Sequence, residues 1–497
     1  MAGTKTLAKD SVIYGGTTII TRFISYLLTP LFTYTILPAE FGMMTHIYAW
    51  AAVIMIILTF GVETGFFRFV NRSPREKRNE VYSASLVIVG ALIAVFLFVV
   101  LTFLKEIRPF LWPDDIPDLY LRLAVIIPSI DAFISVPFAF LRYEKKPLRF
   151  GFCKIIQSVL YLLFCIFFLL VCPWLNKNYP GLISRFWRED FHVGYILTAN
   201  LIATAIQAVV LFSQTSRFRF SFSASVFRPM IKYCFPLMLM GLAGISNQVV
   251  DKIIFPLVFP GTVEGANEQL GLYSACFKIG VIMMVFTQAF RYAFDPFVFE
   301  KSGDKDDRKS YSVATKYFVI LGLLVFLGVM FYLDIFKYFV APEYWSALGV
   351  VPIVLVGELF FAVYYNLSIW YKLTDKTWWG TVFSVIGFVV IISLNIIFIP
   401  KFGYMACAWA SFAGNLLMML LSYFIGQKNY YIAYDLKTMF IYSALAAALF
   451  AASIVFRFEN IWLRMALNTV LVGIYLSFML RRDLSVKDLP FVSRILK

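Results

Sequence analysis

The sequence predicts an all-α polytopic membrane protein with about fourteen transmembrane helices. Three observations predict it. The 497-residue chain is 61% hydrophobic and only 15% charged, where a soluble domain carries about 25% charge. Apolar runs of about twenty residues, long enough to cross a ~30 Å hydrocarbon layer as helices, recur along the whole chain. The connections left between them are too short for a folded extramembrane domain.

The runs fall at 12–37, 42–68, 81–104, 118–141, 150–173, 192–213, 230–259, 270–293, 312–333, 349–371, 379–400, 404–426, 438–456 and 462–480. The first is too long for a signal-peptide core, contains Arg22 and lacks a small-residue cleavage site, so it is expected to stay as a span. An even number of spans puts both termini on one side. Basic residues crowd the N-terminal tail, the even-numbered connections and the C-terminal tail, as in NRSPREKRNE (71–80), RYEKKPLR (142–149) and EKSGDKDDRK (300–309). The positive-inside rule makes that side the cytoplasm. The end of the chain, RRDLSVKDLPFVSRILK (481–497), reads equally as an interfacial segment or a solvated tail.

A faint repeat divides the chain. PLF at 30–32 precedes FG at 41–42, and six spans later PLVF at 256–259 precedes LG at 270–271. Six spans restore the starting orientation, so two parallel six-helix bundles are expected about a central cavity, at 1–213 and 214–426. Residues 427–497 add two helices and a tail. Substrate is expected between the bundles near mid-membrane.

Several functions drop out. There is no GxxxxGK[ST] phosphate loop. Two histidines, His46 and His192, and no HExxH argue against histidine-bound zinc. The six cysteines lie scattered in apolar runs and read as small hydrophobes. The acidic run 304–307 lacks EF-hand spacing. Neither a catalytic group nor a metal is expected. The 54 Phe, 28 Tyr and 10 Trp read mainly as packing and interfacial belts.

An ionisable group at mid-bilayer costs roughly 2.5–3.5 kcal/mol on insertion scales, so each should face a cavity or a partner. In the first span Tyr14, Gly15, Thr18, Arg22, Ser25, Tyr26, Thr29 and Thr33 form one polar stripe. Arg22, about 15 Å along the helix, either lines a watery path or pairs with Glu63 or Asp131. In the seventh span Asn247, Gln248 and Asp251 share a face with Lys252 adjacent. Asp251 and Asn247 either hold a sodium ion or proton, or Asp251 pairs with a lysine. Lys278 sits deep in the eighth span, and Arg291 lies near its cytoplasmic end. Arg68, Arg122 and Lys154 are near enough to helix ends to snorkel. Glu63, Asp131 and Glu358 are buried carboxylates, read as gating or coupling groups or as structural partners. Arg22, Lys278, Arg291, Arg68 and Lys252 together predict an electropositive cavity. Such a cavity selects an anion, and arginine's planar fork suits phosphate. The expected cargo is an amphiphile with a phosphate or diphosphate.

The segment KDSVIYGGTTIITRFISYLLTPLFTYTILPAEFGMMTHIYAW (9–50), then GVETGFFRF (61–69), FPLMLMGLAGISNQVVDKII (235–254) and QLGLYSACFKIG (269–280) resemble the oligosaccharide flippases of the multidrug/oligosaccharidyl-lipid/polysaccharide exporter superfamily. These include Wzx-type polysaccharide transporters and, more distantly, lipid II flippases and multidrug and toxin extrusion transporters. The resemblance covers nearly the whole chain in span count and order. It implies two six-helix bundles and transfer of undecaprenyl-diphosphate-linked sugar units from inner to outer leaflet, by alternating access and without covalent chemistry. It also implies cavity cations for the diphosphate, with Arg22 and Lys278 matching by location. The lipid II branch carries more arginines in its first two spans, so a capsule, O-antigen or exopolysaccharide unit is the expected cargo. No cofactor is expected, sodium or proton coupling stays open, and a monomer is the expected functional unit. The alternatives are a cation-coupled drug antiporter of the same fold, or a membrane glycosyltransferase or polymerase whose only hint is Asp114–Asp115.

Overall fold

The computed structural model describes residues 2–74, 77–111, 116–183, 187–214, 220–300, 308–456 and 458–483. These are helical nearly throughout, with no strand among them. The long helices are α1 (Ala2–Thr33), α2 (Pro38–Thr59), α3 (Val62–Arg72), α4 (Arg78–Thr102), α5 (Asp118–Tyr143), α6 (Pro147–Ile166) and α7 (His192–Gln214). Then follow α8 (Ala224–Val258), α9 (Val263–Glu300), α10 (Arg308–Phe331), α11 (Val350–Leu367), α12 (Trp378–Phe402), α13 (Tyr404–Asn429), α14 (Leu436–Val455) and α15 (Ile461–Arg482). Among the described residues, thirteen helical segments are long and apolar enough to cross a membrane, α2 and α3 counting together as one. The unbroken α1 is not among them, because its threonines, glycines, tyrosines and Arg22 lower its hydropathy. All six cysteines are free and buried.

Two compact units can be separated. Unit 1 holds 1–274 and 392–404; unit 2 holds 275–391 and 405–497.

In unit 1, α2 starts with Pro38 in its first turn, where no backbone N–H is needed. The Glu40 carboxylate accepts the Leu37 N–H at 3.1 Å. The helix stops at Phe60 and Gly61, both left-handed with φ of 52° and 68°. Glycine is required at 61: an added Cβ would lie 2.8 Å from the Leu237 Cβ. The chain resumes as α3, which buries Val62, Gly65, Phe66 and Val70. A π-helical turn, Phe167–Val171, extends α6, and the Trp187 indole donates to the Phe168 carbonyl at 3.2 Å. The two glycines that mark the sequence repeat touch each other. A Cβ on Gly42 would lie 1.8 Å from the Asn267 carbonyl oxygen, and one on Gly271 would lie 1.9 Å from that of Pro38. Here α2 and α9 meet backbone to backbone, which no larger residue allows.

In unit 2, α15 is fastened along α10 by polar contacts. Arg464 pairs with Asp334 at 2.7 Å, and Asn468 donates to the Phe331 carbonyl at 2.6 Å. Tyr475 donates to the Ile320 carbonyl at 2.8 Å. Asp483 takes Lys316 at 3.0 Å and the Tyr442 hydroxyl at 2.9 Å. These bonds run from one end of α15 to the other and fix it against sliding.

Candidate functional site

The break after α2 sets up the first part of the site. Because α3 buries its apolar face, Glu63, Thr64, Arg68 and Asn71 are left exposed on the other. Glu63 forms an ion pair with Arg142, in the last turn of α5; both side chains are nearly half exposed. The Arg142 guanidinium also stands 5.2 Å from the Phe67 ring centroid, and that of Arg68 stands 4.2 Å from Tyr233. Arg78 and Glu144, 3.6 Å apart, tie the start of α4 to the α5–α6 connection at this end of the unit.

Deeper in the same unit, Asp131 of α5 interacts electrostatically with Lys154 of α6, whose ammonium lies 4.3 Å from the Phe138 ring. Beside them the Tyr48 and Tyr161 hydroxyls are 3.0 Å apart. Asn200 donates to the Tyr48 hydroxyl at 3.3 Å. A chain of polar groups therefore lies between α2, α5, α6 and α7, as partnership inside a low-dielectric bundle requires.

On α8, Asp251 is buried, its side chain only 3% exposed. Both its oxygens accept from the Lys252 ammonium at 3.0 Å, and one accepts from the Tyr273 hydroxyl at 2.8 Å. The Lys252 ammonium also donates to the Gln248 carbonyl at 3.2 Å. The Lys252 carbonyl is 2.9 Å from His46 Nδ1, and the Trp50 indole donates to His46 Nε2 at 3.2 Å. His46 is thus held as the Nδ1–H tautomer by both neighbours. Asn247 donates to the Ala243 carbonyl at 3.2 Å.

In unit 2, Lys278 is exposed and Glu358 half-buried. The Arg291 guanidinium is 3.6 Å from the Tyr365 ring centroid and donates to that hydroxyl at 2.5 Å. Lys372 approaches the same ring at 4.3 Å. In the same unit an apolar trough of about 750 Å³ is walled by α10, α11, α13 and α14. Val319, Leu323, Val356, Phe360, Phe412, Leu420, Ala446 and Phe450 line it, with few polar groups among them. Its lining runs from Pro352 to Leu367 on α11, a length of roughly 22 Å at the helical rise.

The expected site residues thus fall into separate groups. Arg22 is exposed and, among the described residues, has neither an ion-pair nor a hydrogen-bond partner. The structural alternative of an Arg22 pair with Glu63 or Asp131 is not realised, since Arg142 and Lys154 stand there instead. The lysine pairing of Asp251, left open by the sequence, is present. Asp114, Asp115, the acidic run 304–307 and the tail beyond 483 lie outside the described residues. Among those described, no three His, Cys, Asp or Glu converge as metal ligands.

Sequence reasoning missed Arg142, Tyr273 and the trough. Arg142 had a signal: it is eleven residues, three helical turns, after Asp131 and on the same face. The trough has none, because two helix pairs, α10–α11 and α13–α14, must meet in space to build it.

A family model described as polysaccharide biosynthesis protein matches residues 7–297. The chain belongs to that family. No curated protein matches it in sequence. Its fold is that of lipid II flippase MurJ in an inward closed conformation, with a TM-score of 0.73 at 13% identity, over 95% of this chain and 99% of that one. An inward-facing multidrug resistance MATE family transporter of the MOP superfamily matches with a TM-score of 0.65 at 13% identity, over 84% and 94%. An outward-facing MATE family transporter matches at 0.56 and 13% identity, over 84% and 95%. The chain is a multi-pass membrane protein, and its fold is similar to the folds of these proteins.

Proposed function

We propose that the protein moves undecaprenyl-diphosphate-linked oligosaccharide units from the inner to the outer leaflet of a bacterial cytoplasmic membrane, for capsule, O-antigen or exopolysaccharide synthesis. It works by alternating access, as a monomer with both termini in the cytoplasm. The observation that carries the reading is the apolar trough in a chain of the polysaccharide biosynthesis family. A trough without charge fits a polyprenyl tail and nothing polar. Arg22 and Lys278 are open to their surroundings rather than sealed in packing, as ligands of a diphosphate must be. Drug or cation antiport is the second reading. Against it, Glu63 and Asp251 are already matched by Arg142 and Lys252. The candidates for coupling to a proton or sodium gradient are Glu63, Asp131, Asn247, Asp251 and Glu358, of which Asp251 accepts from Lys252 and Tyr273.

The test is reconstitution with a labelled diphosphate-linked oligosaccharide. Native protein should expose the label on the far leaflet, and Arg22→Ala and Lys278→Ala should each slow this at least ~10-fold, the loss of one good charged contact. Undiminished movement in both variants removes these residues from the site. Absence of movement with native protein, under either ion gradient, overturns the function.

A further inference from the structure

We propose that Glu63 is a tethered stand-in for the ligand's anionic group, and that Arg142 is the residue which receives that group when Glu63 is displaced. The inference rests on the proposed function only for the identity of the ligand, a lipid diphosphate. It adds a specificity device: Glu63 admits a diphosphate and turns away the singly charged phosphodiesters of ordinary membrane lipids.

The argument begins with how the cations are held. Arg142 rests on Phe67, Arg68 on Tyr233 and Lys154 on Phe138. An aromatic face orients a guanidinium without consuming its in-plane N–H donors. Arg142 therefore keeps its place when its carboxylate partner leaves. Lys154 already has Asp131 as a counter-charge and feels Glu63 as a second one. Glu63 is thus paired with Arg142 and within electrostatic reach of Lys154, and its departure leaves Arg142 without its counter-charge.

The pair is also easy to exchange. Glu63 and Arg142 side chains are 48% and 44% exposed. An ion pair that open contributes little to stability, so it does not lock α3 to α5. Carboxylate and phosphate both fit the guanidinium fork, and replacing one with the other keeps Arg142 paired while the displaced Glu63, nearly half exposed, is met by water. The incoming anion must nevertheless outcompete a carboxylate held at high effective concentration by the fold. A diphosphate, with more charge and more acceptor oxygens, can do so. A phosphodiester with one charge cannot, although it is the more abundant by far. Repelling the wrong ligand is how a site of modest affinity becomes selective.

The experiment measures binding of farnesyl diphosphate and of short-chain phosphatidylglycerol to the full-length protein in detergent, from intrinsic tryptophan fluorescence. Native protein should prefer the diphosphate. Glu63→Gln should bind phosphatidylglycerol at least ~10-fold tighter, so that the preference collapses. Arg142→Lys keeps the charge but not the fork, and should weaken diphosphate binding several-fold. In Glu63→Gln/Arg142→Lys the gain from the first substitution should be lost. An unchanged preference in Glu63→Gln, or full diphosphate affinity in Arg142→Lys, overturns the proposal. If Glu63→Gln does not fold, Arg142→Lys decides alone. Leaflet transfer by native protein is measured in parallel: its failure counts against the function, whereas transfer with preference unchanged by Glu63→Gln counts only against this inference.

Discussion

Two ion pairs in unit 1 join the same kinds of group and differ in everything else. Asp251–Lys252 is buried and closed by the Tyr273 hydroxyl, and its lysine is the next residue in the chain. Glu63–Arg142 is nearly half exposed and joins helices 79 residues apart in sequence. The first cannot be opened without stranding a charge in apolar surroundings. The second can be traded for another anion. Their contrast teaches that a charge inside a span says little about function until its exposure and its satisfaction are known.

Substitutions can break or sharpen this contrast. The largest effect is expected for Lys252→Ala, which leaves Asp251 charged, buried and short of a cation, at a cost of about 3–5 kcal/mol. Thermal and denaturant unfolding of purified protein should show it; an unchanged midpoint would mean that Asp251 is not charged or not buried. Gly42→Ala forces a Cβ into the Asn267 carbonyl, and should cost about 1–3 kcal/mol as an overpacked contact. The same unfolding measurement applies, and Gly271→Ala should behave alike. Arg142→Ala should cost no more than about 1 kcal/mol, and a loss as large as that of Lys252→Ala would erase the distinction drawn above.

The smallest effect is expected at Asp435, which caps α14 by accepting the Thr438 N–H at 3.1 Å. The hydrogen bonds from Thr438 hold its carboxyl below the usual aspartate value. A lowered folded-state pKa means the contribution is complete above the unfolded value, near 3.9, and fades as pH falls through the folded one. Asp435→Asn keeps the cap without the titration. It should match native stability at neutral pH and lose this part of the acid sensitivity. An equal acid response in both proteins would show that Asp435 contributes none of it.

Much of the fold was legible because a membrane imposes a length and an apolarity on every span, and both can be read along one strand of text. The glycine pair was half legible: the repeat placed Gly42 and Gly271 in corresponding positions, but only three dimensions bring them together. The charged groups were harder. Arg142 stands within RYEKKPLR, which reads as a solvated run that fixes orientation, and its partner Glu63 lies beyond a helix break. Asp251 and Lys252 are neighbours in sequence, yet adjacent helical residues point about 100° apart, so their pairing depends on the lysine stem folding back. Arg22 was singled out for its depth in the first helix, and depth alone does not tell which element will face it.

The ladder of bonds that holds α15 to α10 also decides how adaptable the neighbouring trough is. With that flank bolted in place, the accommodating elements are side chains such as Met419 and Met439, whose thioethers bend easily. Such a slot gauges the girth of an occupant and tolerates small irregularities in its outline, without any backbone having to yield.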